Sequence, residues 1–246
     1  MRPLGHTQAR EEREAHASVD DRLQTAWEAY LIRTALYRNQ QRAKGGVPTD
    51  DADLMMFRFA VNLLRPLNLS LATIQQLLLV KLPDIASYES RFAFELCAAD
   101  LGLFVSAGYQ CVPEQEIDYC LDTPHLGAVG AYLDGKHLRI TGNVGEHAGR
   151  RMMGTLTVEG NAGISCGEEM IGTFINNGHC GRASGRRMFG YFQSKQRIED
   201  TYAIGRWNGR WNIPLAERKA FRKDITNSFH LSHDELYREL DLRYRR

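Results

Sequence analysis

Three segments of this chain align without a gap, 18 residues apart, and that repeat constrains the fold more than any other feature. GNVGEHAGRRMMG runs from Gly142 to Gly154, GNAGISCGEEMIG from Gly160 to Gly172, and GHCGRASGRRMFG from Gly178 to Gly190. All three keep the frame G-x-x-G-x-x-x-G-x-x-M-x-G, with twelve glycines and three methionines in place. One such unit cannot bury an apolar face by itself, so copies must stack. Glycine every three or four residues suits tight corners that need positive φ or close backbone approach. Thr155-Leu156-Thr157-Val158-Glu159, between two frames, alternates and is rich in β-branched residues, as a strand does. Coils stacked at about 4.8 Å exchange backbone hydrogen bonds with their neighbours. The frame therefore predicts a short parallel β-helix over residues 135–194, about three coils of 18 residues each.

The columns set the register. Met152, Met170 and Met188 are expected to stack inward, as are Val144, Ala162 and Cys180, and Leu138, Leu156, Phe174 and Phe192. Arg150, Glu168 and Arg186 fall above one another, and so do Arg151, Glu169 and Arg187. Opposite charges alternate in both columns, as in-register parallel stacking favours. These pairs are expected to be exposed and to contribute little energy. A left-handed β-helix of the hexapeptide-acyltransferase type is the competing reading of an 18-residue period. It would place Glu146 and Arg182 at inward corners, and the glycine spacing has no six-residue period.

The G-x-x-G-x-x-x-G segments Gly142–Gly149, Gly160–Gly167 and Gly178–Gly185 resemble the carboxy-terminal domain of the large subunit of glutamate synthase. They are similar also to the β-helical, non-catalytic subunit of formylmethanofuran dehydrogenase. The resemblance implies a single-stranded, right-handed β-helix that holds or packs against catalytic partners and performs no chemistry itself. It supplies no catalytic residue to carry over, and this chain has fewer coils than those relatives.

The remaining chain reads as α+β, with helices on both sides of the β-helix. Residues 1–17 carry both signs of charge without an apolar run, which reads as a disordered lead-in and not a secretory signal. Residues 18–107 read as a helical unit. Ser18, Asp20 and Asp21 open a first helix bearing Leu23, Trp27, Tyr30 and Leu31 on one face, and Thr49 caps a second that Pro66 ends. Ser70 caps a third stopped by Pro83, and a fourth carries Tyr88, Phe92, Leu96, Ala99 and Leu103 and ends near Gly108. Residues 108–134 read as a linker into the β-helix. Residues 195–246 read as a loop and helices, with Ser232-His233-Asp234-Glu235 as the capping box of the last.

Candidate chemistry is sparse. Five cysteines form no CxxC pair, so reduced thiols and no metal site are expected. His179 and Cys180 are adjacent in a predicted strand, so their side chains are expected on opposite faces and not as a catalytic pair. His147 and Ser165 share an outward column but have no acid to orient them. Arg206-Trp207-Asn208-Gly209-Arg210-Trp211 interleaves cations with aromatics, as single-strand binders do. From Gln196 onward, however, 11 basic residues face 8 acidic ones, and the net charge of the chain is only +1, so nucleic acid is not the expected partner.

No apolar run approaches the ~18 residues of a membrane span, so a soluble, cytoplasmic protein is expected. Catalytic residues stay unassigned, and neither a cofactor nor a metal is expected. The favoured reading is a non-catalytic scaffold subunit that meets a protein partner or a second copy through the β-helix or its ends. The alternatives are an enzyme of amidotransfer or one-carbon metabolism with its site between the helical and β-helical parts, and a regulatory or nucleic-acid-binding protein using the tail.

Overall fold

A computed structural model describes residues 21–43, 50–86, 91–120, 122–195 and 203–245. Helices α1 (Asp21–Ala43), α2 (Asp50–Leu64), α3 (Leu71–Ala86) and α4 (Arg91–Cys111) come first. Strands β1 (Glu116–Tyr119), β2 (Asp134–Ile140), β3 (Met153–Val158), β4 (Ile171–Asn176), β5 (Phe189–Ser194), β6 (Ile204–Trp207) and β7 (Arg210–Trp211) follow. Helices α5 (Arg218–Asn227) and α6 (His233–Tyr244) close the chain.

Strands β1 to β6 are parallel and lie in sequence order, which makes a β-solenoid, and β7 turns back antiparallel on β6. The solenoid has five coils, not the three the repeat predicts. Paired residues are 21 apart at the first junction (Glu116 with His137). They are 18 apart at the next three (His137, Thr155, Thr173, Tyr191) and 15 apart at the last (Tyr191 with Arg206). The stretch 108–134 is therefore no linker. It holds the end of α4, the strand β1 and a first coil in register with the second. The described residues 203–245 likewise begin with β6, the strand of a closing coil.

The predicted columns are in place. Ile117, Leu138, Leu156, Phe174, Phe192 and Trp207 stack inward, and Val144, Ala162 and Cys180 pair coil to coil. Met152, Met170 and Met188 are fully buried. A glycine faces each large ring: a Cβ on Gly167 would meet the Phe174 ring at 2.6 Å, and one on Gly185 the Phe192 ring at 2.9 Å. Glu146 and Arg182 are exposed, as the hexapeptide alternative does not allow. Asp122, Asn143, Asn161 and His179 form a second ladder. Each of the first three side chains accepts from the backbone N–H of the next member, at 3.0, 2.7 and 2.9 Å.

The helices belong to the same body. One hydrophobic cluster runs from Trp27 and Tyr30 through Phe104 and Tyr109 to Leu138, Phe174 and Phe192. Ser70 caps α3 through the Thr73 N–H at 3.2 Å. Pro83 does not stop α3, which continues to Ala86, because the carbonyl it leaves unbonded belongs to the exposed residue Leu79. The fourth helix ends near Gly108 as expected, at Cys111; Gly108 lies in its last turn, where Ile74 packs 3.0 Å from the place of a Cβ. Tyr88, Ser18 and Thr49, and the side chains of Phe92 and Leu96, lie outside the described residues.

The charged columns differ from expectation. Glu168 is 4% exposed and Glu169 9% exposed, because helices cover both columns. Glu168 sits between Arg150 (3.7 Å) and Arg186 (2.7 Å), and Arg150 also reaches Asp53 of α2 at 3.6 Å. Glu169 sits between Arg151 (3.6 Å) and Arg187 (2.7 Å), under α6, whose Asp234 pairs with Arg151. They act as buried latches between solenoid and helices.

Candidate functional site

The outward face of the sheet carries His137, Thr155, Thr173, Tyr191 and Arg206 in one column. Beside it runs a glycine column, Gly154, Gly172, Gly190 and Gly205, with φ of 146°, 133°, 136° and 123°. A Cβ on Gly154 would strike the carbonyl oxygen of Lys136, and one on Gly172 that of Gly154, so only glycine fits. The result is a strip of bare backbone. The preceding column, Met153, Ile171 and Phe189, packs against Ile213, Phe221, Leu236 and Leu240 and so fastens α5 and α6 alongside. Between the strip and the α5 side of this layer lies a groove of about 520 Å³, bordered by Phe221, Ile225 and Phe229.

Two arginines line that groove, Arg206 and Arg222, and among the described residues no carboxylate does. Arg206 lies over the Tyr191 ring at 5.6 Å, and its buried Nε has no hydrogen-bond partner. Arg222 lies over Trp211 at 4.9 Å, and Arg218 over the same ring at 5.2 Å. Arg206 and Trp211 are paired across β6 and β7, which gathers both lining guanidinium groups at one end. The Arg/Trp stretch singled out in the sequence is thus a hairpin. Asn208 and Gly209, with φ of 44° and 81°, make its turn. Asn-Gly between two strand-like dipeptides carries that signal in sequence. Trp207 faces Phe192, 6.4 Å away, and closes the last coil, while Trp211 serves the groove.

The other candidates fare differently. His179 is exposed and Cys180 buried, on opposite sides as expected. Burial raises the Cys166 thiol well above its ordinary value and pushes Cys180 up to about 12, so neither is a thiolate near neutral pH. His147 and Ser165 do share a column: both hold left-handed φ, 60° and 55°, at the same corner. Burial, then the charge of Arg150, lowers the His147 imidazole, whose buried Nδ1 has no hydrogen-bond partner. His233 caps the second latch, its Nε2 2.9 Å from the Glu169 carbonyl oxygen and its ring stacked on Tyr237.

Among the described residues, no group of three or more His, Cys, Asp and Glu side chains is arranged to hold a metal ion. Nor is any helix among them long and apolar enough to cross a membrane. No protein-family model, curated protein or solved structure matches the chain.

Proposed function

We propose that this protein is a non-catalytic scaffold subunit that holds a protein partner beside its rigid β-solenoid. The observation that carries the reading is on α1. Leu23, Trp27 and Tyr30 bury one face of that helix, yet Ile32 (64% exposed) and Leu36 (53%) form a second apolar stripe at i, i+4 facing solvent. A helix apolar on two faces has a core on one side and a place for a partner on the other. Exposed Met55 on α2 and Leu79 on α3 extend the same tendency across the helical layer. The chain's own elements occupy the two ends of the solenoid. Gln75 of α3 donates to the Asp118 carbonyl at 2.7 Å at one end, and the β6–β7 hairpin closes the other. Contact through the helical layer is therefore favoured over contact through the solenoid ends. The resemblance of the glycine frame to non-catalytic β-helical domains supports the same function.

Affinity purification of the full chain at native expression, with mass spectrometry, tests this against the Ile32→Asp/Leu36→Asp double variant. A stoichiometric partner held by the wild type and lost by the folded variant is the expected result. A strictly monomeric wild type, or a partner retained by the variant, contradicts it. A second reading rests on His147, whose buried, unpartnered Nδ1 lies where the helices meet the solenoid. An enzymatic activity abolished by His147→Gln but indifferent to the double variant would favour a site at that junction.

A further inference from the structure

We infer that the groove beside the glycine strip binds a small amphiphilic anion: a flat apolar body bearing one carboxylate, sulfonate or phosphate group. This goes beyond the scaffold reading and stands without it.

Size, shape and charge each contribute. A volume of about 520 Å³ lies within the range of small-molecule sites and is too small for a folded partner. Gly154, Gly172 and Gly190 leave the floor without side chains over three coils, roughly 10 Å at the spacing of parallel strands. Phe221, Ile225 and Phe229 face that floor, so a planar body lying on the strip is covered by apolar surface. The two arginines stand at one end only, and His137 at the other end lies 4.0 Å from Glu116. Tyr191 supports Arg206 and Trp211 supports Arg222, so both guanidinium groups are held in place before a ligand arrives. Guanidinium groups held in this way offer charge-assisted hydrogen bonds to an anionic oxygen. Because no carboxylate among the described residues lines the groove, none there opposes negative charge.

The same distribution argues against a nucleic acid strand. A polyanion needs cations along its whole track, whereas the middle of this floor offers Thr155 and Thr173. One charged head at the β6–β7 end and a neutral body along the strip is the pattern that fits.

The test uses 8-anilinonaphthalene-1-sulfonate, a planar apolar anion, titrated into the full chain by calorimetry and fluorescence. N-phenyl-1-naphthylamine serves as its uncharged counterpart. The expected result is one saturable site per chain that binds the uncharged compound about ten-fold more weakly. Arg222→Glu, on an exposed position of α5, is expected to weaken sulfonate binding by about ten-fold or more, and Thr173→Trp to abolish it by filling the groove. Ile32→Asp/Leu36→Asp is expected to leave it unchanged, which separates this site from the proposed partner surface. Circular dichroism confirms that each variant is folded, and Arg222→Glu decides the matter if Thr173→Trp is not. Absence of a saturable site, equal affinity for both compounds, or unchanged binding in folded Arg222→Glu overturns the inference.

Discussion

The first coil and the second have almost nothing in common as sequence, yet their backbones coincide. Residues 123–133 read TPHLGAVGAYL where the second coil has VGEHAGRRM over 144–152, and only scattered glycines correspond. Even so, Thr123 donates to Asn143, Ala128 to Glu146 and Tyr132 to Arg150, just as Val144 donates to Asn161, His147 to Ile164 and Arg151 to Glu168. The left-handed corners recur as well: Ala128 and Tyr132 have φ of 58° and 61°, His147 and Arg151 60° and 54°. What the coil requires is a set of backbone conformations and an inward apolar column, and several side-chain sets supply them. The first coil meets the helices and takes its side chains from that duty. Tyr132 lies under the Arg151 guanidinium at 5.9 Å and heads the column that charges occupy elsewhere. Lys136, at the head of the glycine column, is buried, and its Nζ donates to the carbonyls of Val112 and Glu114 at 2.7 and 2.6 Å, beyond the end of α4.

The largest effect expected from this comparison separates two glycines that both have positive φ. Gly172→Ala places a Cβ against the Gly154 carbonyl at φ of 133° and is expected to cost on the order of 5 kcal/mol or prevent folding. Gly135, at the bulge between the first two coils, has nothing within 4 Å of the added carbon. Gly135→Ala should cost about 1 kcal/mol, for φ alone. Urea denaturation of both variants measures the gap, and equal costs would show that the strip does not need bare backbone.

Ile117→Ala comes next. Ile117 is stacked on Leu138 and fully buried, so truncation should cost about 3 kcal/mol, as for any large core aliphatic. A cost below about 0.5 kcal/mol, the scale of a surface change, would return residues 108–134 to the status of a linker. Smaller again is Glu168→Ala, which leaves Arg150 without a neighbour that its column supplies. About 2 kcal/mol is expected, reduced from the range for a fully buried pair because the Arg186 side chain is 45% exposed.

The smallest expected effect depends on pH. Burial holds the His233 imidazole below its ordinary value of 6.5, against Glu169 and Asp234, which raise it, and with Arg151, which lowers it further. The folded state then binds fewer protons than the unfolded one. Its contribution is complete above pH 6.5 and is lost as pH falls through the lower folded value. Burial pushes Asp100 the other way, up to about 6 despite its Arg38 partner, so that carboxyl adds stability as pH falls from 6 towards 3.8. The readout is therefore the difference between wild type and His233→Gln. Their melting temperatures should diverge at pH 7.5 and converge towards pH 5, and a constant offset would mean that the ring does not titrate in place.

How much of this was legible follows the same division. The three central coils announce themselves because glycine is obligatory where backbone meets backbone, and their columns fell in the predicted register. The first coil was hidden, since its left-handed corners are taken by Ala128 and Tyr132 and its period is lengthened to 21, by one residue at the Gly135 bulge and by two between Thr123 and Ala128. The last was hidden by shortening to 15 and by a turn whose Asn208-Gly209 signal was outweighed by the flanking arginines. Burial of Glu168 and Glu169 was illegible from a local pattern, because Asp53 and Asp234, on distant helices, create it. The groove is of the same kind: Thr173 and Phe229 meet only through the packing of α5 and α6.

Amide hydrogen exchange across residues 123–151 tests most directly that the solenoid begins before its visible repeat. The amides of Thr123, Ala128 and Tyr132 should be protected to the same order as those of Val144, His147 and Arg151, since each set donates to the coil above it. Exchange of the first set at the rate of an open loop, with the second still protected, would contradict that account.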